Sequence, residues 1–356
     1  MSKKKARSKV RIEDVARAAG LSNATVSRVL NGSERVRPNL HERVMKAAAK
    51  LGFDLNRKTD SRIVAFLLSN RAVLHPFHSA VLVGAEVHCA ANDVGVLFLP
   101  LQYSSKVPWK ELHIPPLLKN RKIVRGVIAA GTNSQNLLDA LADRGLPVVC
   151  LGNNMVGSWQ KDMCSAVFFD DVGGAHEATS YLLSLCHKHI WYIGNCQLTW
   201  FARRSEGYRR AMEEAGLPPL IRDLSVDNVE DLGYLATKSI LSEGRPITAI
   251  LAGDDTAARG AYRALADHGL RIPSDVSVIG VNDTMEASAL IPPLTSVRVF
   301  TDQLGKQMAE LLLRRISRLD LKPQAVTLPT QLIRRESCAP PAQFEPPAHK
   351  EEALPS

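Results

Sequence analysis

From Ile63 onward, short apolar runs alternate with stretches whose apolar residues recur at helical spacing. Runs that are apolar throughout are typical of parallel strands covered on both faces, and the alternation assigns the helices to those faces. The runs are 63–68, 94–99, 123–129, 147–151, 166–169, 190–193, 247–251 and 276–281, and the helical stretches include 134–144, 171–185, 204–215, 230–243, 254–268 and 302–318. We therefore predict an α/β body of two doubly wound parallel-sheet lobes over residues 63–338. Ligands are expected beyond the carboxyl ends of its strands or between the lobes.

The positive charge of the chain is concentrated at its start. The 356 residues carry a net charge of +9, and residues 1–62 hold 16 Lys and Arg against 6 Asp and Glu, whereas the remaining 294 hold 29 against 30. A basic segment on a near-neutral body favours nucleic-acid binding by that segment, because cationic side chains neutralise backbone phosphates.

Three short helices are predicted in this basic region. Apolar residues at helical spacing run over 12–19 and stop at Gly20, Ser22 is placed to cap a second helix, and Pro38 suits the first turn of a third. The link between the first two helices is as short as in a helix-turn-helix. Residues 11–55 are therefore predicted to form a helix-turn-helix DNA-binding domain.

The second helix has the residues that a recognition helix needs. Val26, Val29 and Leu30 can pack inward, while small and polar side chains occupy its first turn and outer face. Asn can read adenine and Arg can read guanine in the major groove. The predicted DNA-binding residues are Arg11, Ser22, Asn23, Ala24, Thr25, Ser27, Arg28 and Asn31.

Several classes of protein are excluded by features that the sequence lacks. No run approaches 18 apolar residues, and no apolar segment follows the basic first residues, so neither a transmembrane helix nor a signal peptide is predicted. The six cysteines have no C-x-x-C spacing, which favours buried free thiols in a reducing cytoplasm over a disulfide framework or a zinc site. There is no P-loop lysine motif, no H-E-x-x-H and no G-x-S-x-G, and the adjacent acids at 170–171 and 254–255 are typical of helix caps. Neither an enzyme nor a metal or cofactor site is predicted.

From residue 11 to about 338, the sequence resembles the lactose-repressor/galactose-repressor (LacI/GalR) family of bacterial transcription regulators. The head carries the stretch Thr25-Val-Ser-Arg-Val-Leu-Asn-Gly32, which is close to that family's consensus. The body adds the motifs Asp170-Asp-Val-Gly-Gly174, Arg204-Ser-Glu-Gly-Tyr208, Asp254-Asp-Thr-Ala-Ala-Arg-Gly260, Gly280-Val-Asn-Asp283 and Pro292-Pro-Leu-Thr295. The resemblance implies a homodimer whose heads enter the major grooves of a two-fold-related operator. It also implies a body shaped like a type I periplasmic sugar-binding protein.

The resemblance further implies a small-molecule effector between the two lobes, for which we predict a sugar. The guanidinium of Arg204 suits a hydroxyl pair or a carboxylate, and Asp254 and Asn282 stand where the family usually has Asn and Asp. The predicted effector-binding residues are Phe77, Thr132, Asn133, Phe169, Trp200, Arg204, Asn228, Asp254 and Asn282. For some of these a structural role stays open, since an Asn at a strand end often caps a turn and Phe169 also suits the core.

The segment between head and body departs from the family. There, N-R-x-A-x-x-L usually forms a hinge helix whose leucine enters the minor groove and kinks the operator. Here Asn56-Arg57 is followed by residues that include neither that Ala nor that Leu, so 56–62 is predicted to be a short linker. The usual hinge-helix coupling between ligand and DNA is therefore not carried over. Residues 1–10 and 339–356 are predicted to be a disordered basic arm and a disordered tail.

The leading hypothesis is a cytoplasmic, homodimeric repressor that binds operator DNA and is controlled by a sugar-like effector. Two alternatives stay open at this stage. The shortened linker motivates a regulator of the same fold that does not respond to a ligand. A solute-binding protein with an unrelated basic head is the other, and the missing secretion signal argues against it.

Overall fold

The computed structural model describes residues 10–30, 38–53, 62–71, 75–157 and 163–342. Several predicted features lie outside these residues: most of the basic arm, Asn31, linker residues 56–61 and the tail beyond 342. Among the described residues, no helix combines the length and the apolar character that crossing a bilayer requires.

The chain divides into two compact units. Unit 1 comprises residues 1–169 and 300–328, and unit 2 comprises residues 170–299 and 329–356. The chain therefore passes from one unit to the other three times, and neither unit is one continuous piece of sequence.

The head at the start of unit 1 consists of α1 (Ile12–Ala19), α2 (Asn23–Leu30) and α3 (Pro38–Leu51). α1 ends at Gly20, whose φ of 61° is a left-handed conformation that glycine adopts without steric cost. Ser22 Oγ accepts a hydrogen bond of 3.1 Å from the Thr25 N–H and so caps α2. The three predicted helices and the Ser22 cap are confirmed. The buried core of the head consists of Val15, Ala16, Ala19, Val26, Val29, Val44, Ala47 and Ala48.

The rest of unit 1 is built on a six-stranded, wholly parallel sheet with helices beside it. Its strands are β1 (Ile63–Ser69), β2 (Gly95–Leu101), β3 (Val124–Ala129), β5 (Val148–Leu151), β7 (Ser165–Phe169) and β13 (Ala325–Leu328). Two short strands, β4 (Asn133–Ser134) and β6 (Met155–Val156), pair separately, and the helices are α4 (Pro76–Ala90), α5 (Gln135–Asp143) and α11 (Thr301–Ser317). The strand order is β13-β7-β5-β3-β1-β2, and every neighbouring pair is parallel.

Unit 2 holds a second six-stranded sheet. Its strands are β8 (Ile190–Gly194), β9 (Leu220–Asp223), β10 (Ala249–Ala252), β11 (Ser277–Asn282), β12 (Thr295–Val299) and β14 (Thr330–Ile333). Its helices are α6 (Asp171–Ser184), α7 (Thr199–Glu214), α8 (Val229–Ser242), α9 (Asp255–Asp267) and α10 (Met285–Ala289). The order is β14-β12-β11-β10-β8-β9, with β14 antiparallel at one edge and all other pairs parallel. The prediction of two doubly wound lobes is confirmed, with β14 as an antiparallel addition.

Each sheet has one point where its strand order reverses direction. In unit 1, β2 lies on one side of β1 and β3 lies on the other. In unit 2, β9 lies on one side of β8 and β10 lies on the other. In open α/β sheets, such reversals leave a crevice at the carboxyl ends of the two central strands, where ligands bind. Side chains that follow β1, β3, β8 and β10 are therefore the first to examine for a site.

The last described residues remain attached to unit 2 beyond the predicted start of the tail. The Ala339 N–H donates a hydrogen bond of 3.1 Å to Ser277 Oγ, and the Ala339 carbonyl lies 2.9 Å from His187 Nε2. The packed part of unit 2 therefore extends past the boundary placed at residue 338.

The helix pairs that pack with their backbones in close contact at glycines include α4 with α11 and α8 with α9. A Cβ atom on Gly84 of α4 would lie 2.2 Å from a backbone oxygen of α11, and one on Gly305 of α11 would lie 2.0 Å from a backbone oxygen of α4. Gly233 and Gly260 make equally close approaches between α8 and α9, at 1.9 and 2.0 Å. Any side chain at these positions forces the helices apart.

The replacement Gly84→Ala is expected to lower the free energy of unfolding by about 1–3 kcal/mol, because the added methyl group overpacks the contact between α4 and α11. This loss should exceed the gain of about 1 kcal/mol that alanine brings to a helix interior. Urea denaturation measures the change, with Val87→Ala as the control, since Val87 lies on the same helix and is 60% exposed. Equal stability of the two variants would show that the helices can separate without cost.

Candidate DNA-binding and effector sites

The predicted recognition helix α2 separates its packing residues from its exposed ones. Val26 and Val29 are buried in the head, whereas Asn23, Ala24 and Arg28 are exposed. Among the other predicted contacts, Ser22 and Arg11 are exposed, Thr25 and Ser27 are half-buried, and Asn31 lies outside the described residues. The face that α2 turns to solvent therefore carries amide, hydroxyl and guanidinium groups, which is the chemistry that reads base edges and phosphates.

Three predicted DNA contacts also support the local fold of the head. The Thr25 hydroxyl lies 2.8 Å from Ser22 Oγ, which places both hydroxyls together at the start of α2. The Arg11 N–H donates to Asp14 Oδ2 at 2.8 Å, which closes the first turn of α1. The exposed side chain of Arg11 therefore extends from a fixed backbone position.

In unit 2, Arg204 of α7 is the centre of a buried polar cluster. Its side chain is only 2% exposed. Nε donates to Asp171 Oδ1 at 2.9 Å, Nη1 donates to the Gly253 carbonyl at 2.6 Å, and Nη2 donates to Asn282 Oδ1 at 3.1 Å. Gly253 directly follows β10, so the guanidinium lies at the carboxyl end of a strand that borders the reversal point.

Asp254 and Asn282 complete this cluster. Asn282, the last residue of β11, donates from Nδ2 to Asp254 Oδ2 at 2.7 Å, and Asp254 Oδ1 caps α9 by accepting from the Thr256 N–H at 2.7 Å. The structure thus brings together the three residues for which the sequence most strongly predicted effector contacts. Asp254 and Asn282 stand where the family usually has Asn and Asp. The exchange therefore keeps one carboxylate and one amide in the cluster, and the two are hydrogen-bonded to each other.

The charges in the cluster nearly balance. Burial lowers the pKa of Arg204, but the charge of Asp171 and the hydrogen bond to it outweigh burial, and the pKa is raised. Arg203 lies 3.5 Å from the other oxygen of Asp171, and the Asp254 carboxylate adds a second negative charge. Burial and then the charge of Asp254 raise the pKa of Asp255 to about 7. Hydrogen bonds from neighbouring hydroxyl and amide groups act in the opposite direction and lower it. The cluster therefore offers many hydrogen-bonding groups with little net charge.

Asp171 was missed by the sequence analysis, which interpreted both acids of the 170–171 pair as caps. Only Asp170 caps α6, by accepting from the Gly173 N–H at 2.9 Å. Asp171 is buried and points to Arg204 instead. Two adjacent residues at the start of a helix project their side chains in different directions. Asp171 can therefore have a role other than capping.

In unit 1, the predicted aromatic residues Phe77 and Phe169 pack against each other. Both are buried, and their ring centroids are 5.7 Å apart. Phe77 lies in the first turn of α4 and Phe169 ends β7, so the pair forms an apolar surface near the carboxyl edge of this sheet. Such a surface suits the face of a sugar ring.

Three of the remaining predicted residues are engaged with the backbone. Asn133 is fully buried, and its Nδ2 donates to the Ala129 carbonyl at 3.0 Å. Asn228 is exposed and caps α8 by accepting from the Glu230 N–H at 2.9 Å. The Thr132 carbonyl accepts from Ser69 Oγ at 2.8 Å. These contacts fit the capping and turn roles that the sequence also allowed.

Trp200 lies in the first turn of α7, half-buried, with its ring centroid 6.0 Å from that of Phe201. It is one turn before Arg204 on the same helix. The two side chains therefore belong to neighbouring parts of one helix surface.

The sequence analysis also missed His78, which follows Phe77 in α4. His78 is 5% exposed, and its Nε2 lies 3.3 Å from Asn154 Nδ2, which also reaches the Ala130 carbonyl at 3.3 Å. Burial, followed by the nearby charges of His75 and Arg71, lowers the pKa of His78 well below its usual value. Within the described residues, His78 Nδ1 is buried without a hydrogen-bond partner.

No arrangement of three or more His, Cys, Asp or Glu side chains suited to a metal ion occurs in the part of the chain that the structure describes.

Two family profiles match the chain. The profile "Bacterial regulatory proteins, lacI family" matches residues 11–56, and "Periplasmic binding protein-like domain" matches residues 179–338. The first match covers the three-helix head. The second covers most of unit 2 together with the return of the chain through α11 and β13 of unit 1.

Relatives match nearly the full length of the chain. The HTH-type transcriptional regulator CelR of Thermobifida fusca is 31% identical over 92% of this chain and 97% of its own, and the HTH-type transcriptional regulator DegA of Bacillus subtilis (strain 168) is 30% identical over 93% and 99%. Among solved structures, the transcriptional regulator CelR–cellobiose complex is 29% identical with a TM-score of 0.68, covering 92% of this chain and 99% of that one. The lac repressor dimer bound to operator and the anti-inducer ONPF is 26% identical with a TM-score of 0.67, covering 93% and 99%. With a helix-turn-helix head and two doubly wound units that match these relatives from end to end, the chain belongs to the LacI family of bacterial regulatory proteins and is a DNA-binding transcription regulator.

Proposed function

We propose that this regulator is a repressor that binds a two-fold-related operator as a homodimer and is controlled by a neutral sugar. The similar lac repressor structure is described as a dimer bound to operator, and the similar CelR structure as a complex with cellobiose. These descriptions support the dimer, the DNA partner and the sugar class of effector for this chain.

The observation that carries the effector proposal is the buried cluster of Arg204, Asp171, Asp254 and Asn282 at the carboxyl edge of the unit 2 sheet. Each member is held in place by another, so the groups are oriented before a ligand arrives and less entropy is lost on binding. Guanidinium and amide N–H groups donate, and carboxylate oxygens accept, which matches hydroxyl groups that do both. The near balance of charge favours a neutral polyol over a sugar acid.

We infer binding without catalysis. The relatives are named as regulators. Operator DNA lies in the bacterial cytoplasm, so we place the regulator there.

A thermal-shift screen tests the effector class. The panel contains cellobiose, ribose, other neutral mono- and disaccharides, the corresponding sugar acids and a purine. A neutral sugar at 100 times its dissociation constant is expected to add about 2.7 kcal/mol to the free energy of unfolding, which raises the melting temperature. The same sugar should change operator affinity in a fluorescence-anisotropy titration. A shift caused by the purine or only by the acids would contradict the proposal of a neutral sugar.

A further inference from the structure

Two cysteines of unit 1 lie side by side in its core. Cys150 is in β5, and Cys164 directly precedes β7, the neighbouring strand. Their Sγ atoms are 3.6 Å apart, and the residues are 0% and 2% exposed. The proposed DNA and effector functions use neither thiol.

The sheet register explains why the two thiols meet. Cys150 pairs with Ala166, and Cys164 lies two residues before Ala166 and therefore on the same face. A disulfide needs an S–S distance of about 2.05 Å. The sulfur atoms therefore have to approach by about 1.5 Å for the bond to form.

The surroundings of the two thiols differ. The Arg315 guanidinium of α11 lies near Cys164. Burial lowers the pKa of Arg315, and the charge of Cys164 opposes this effect. A nearby cation favours a thiolate. The hydrogen bond with Cys164, and then burial, raise the pKa of Cys150 well above its usual value. Because a raised pKa keeps Cys150 a thiol, attack on the oxidant is assigned to Cys164 and the second step to Cys150.

We propose that Cys150 and Cys164 form a reversible intramolecular disulfide when the protein meets hydrogen peroxide. The Cys164 thiolate attacks one peroxide oxygen, the O–O bond breaks, and after proton uptake one water leaves, so that Cys164 becomes a sulfenic acid. The Cys150 sulfur then attacks the Cys164 sulfur, the S–O bond breaks, and the Cys150 proton leaves with the hydroxyl as a second water. In total, two thiols lose two hydrogen atoms and one peroxide yields two waters. Because both thiols are buried, the reaction proceeds only when a local opening of this part of unit 1 admits peroxide.

The cross-link would join β5 to the residue that precedes the amino end of β7. Directly after β5, the Asn153 side chain holds both backbone polar groups of Phe169, at 2.9 and 2.8 Å, and Asn154 contacts His78. The disulfide would fix β5, the strand that leads into this segment, to the chain just before β7.

The test treats the reduced full-length protein with hydrogen peroxide, blocks remaining thiols with N-ethylmaleimide, and maps disulfides by mass spectrometry without reduction. We expect one linked peptide pair joining Cys150 to Cys164, which dithiothreitol releases. The oxidised protein should also melt at a higher temperature than the reduced protein, because the link constrains the unfolded chain. Cys150→Ser and Cys164→Ser should lose both effects, and Cys89→Ser, which removes a buried thiol on α4, should keep both.

The peptide map of the wild-type protein decides the question even if a serine variant folds poorly. The proposal is overturned if peroxide leaves Cys150 and Cys164 as free thiols while the exposed Cys186 is oxidised. It is equally overturned if the Cys164→Ser variant shows the same rise in melting temperature, since the stabilisation would then have another origin.

Discussion

Arg28→Ala abolishes specific operator binding while the head stays folded: this is the first of the two largest effects that we expect. Arg28 is exposed on α2, so its removal leaves the packing of Val26 and Val29 intact. A bidentate Arg–guanine contact is worth about 1–3 kcal/mol of discrimination, and a dimer loses it in both half-sites. Thr25→Ala should act in the same direction, because it removes a hydroxyl at the start of the recognition helix.

Fluorescence anisotropy with labelled operator DNA measures this loss, and circular dichroism checks that the variants are folded. Lys50→Ala is the matched control, because it also removes one exposed positive charge from the head but lies in the last turn of α3. Binding by the wild-type protein should weaken steeply with salt, since phosphate contacts release counterions. If Arg28→Ala and Thr25→Ala both bind as tightly as the wild type, α2 is not the recognition helix.

Arg204→Ala is expected to lower both the stability of unit 2 and the affinity for the effector. Without the guanidinium, Asp171 is left buried beside an empty space and keeps only the longer contact with Arg203, which costs about 3–5 kcal/mol of unfolding free energy. The neighbouring Arg203→Ala is the matched control. Arg203 also faces Asp171, at 3.5 Å, but is 39% exposed, so its loss should cost about 0–1 kcal/mol.

Calorimetry with a sugar identified in the thermal-shift screen then measures binding at a temperature where all variants are folded. We expect Arg204→Ala to lose most of the affinity and Arg203→Ala to keep it. Affinity of Arg204→Ala close to that of the wild type would place the effector away from this cluster. Loss of stability together with unchanged affinity would give Arg204 a purely structural role.

The strands that the sequence predicted are mostly apolar. β1 and β5 are buried on both faces and are almost wholly apolar, and β3 adds one Arg to an otherwise apolar run. The strands that escaped prediction are short or carry polar residues. β9 reads Leu-Ile-Arg-Asp at a sheet edge, the interior strand β12 reads Thr-Ser-Val-Arg-Val, β13 and β14 are edge strands of four residues, and β4 and β6 have two residues each. An edge strand has one open side, so neither its length nor its composition distinguishes it from a loop.

The candidate site was predictable to a similar degree. Arg204, Asp254 and Asn282 stand in sequence motifs, and the parallel topology brings strand ends together, so their meeting followed from the pattern. The contacts of Asp171 and His78 did not, because they depend on which rotamer a side chain adopts against residues far away in the sequence. Local spacing carries no information about such contacts.

The three passages of the chain between its units bear on how the protein can be cut or recombined. A protease that nicks the backbone at 169–170 leaves two covalent connections, at 299–300 and 328–329. Such a nick should therefore release no separate unit under native conditions. For the same reason, a hybrid that exchanges unit 2 with that of a relative needs three junctions placed at these passages. A single-junction hybrid would join the first strands of one unit to a β13 that evolved to pair with a different β7.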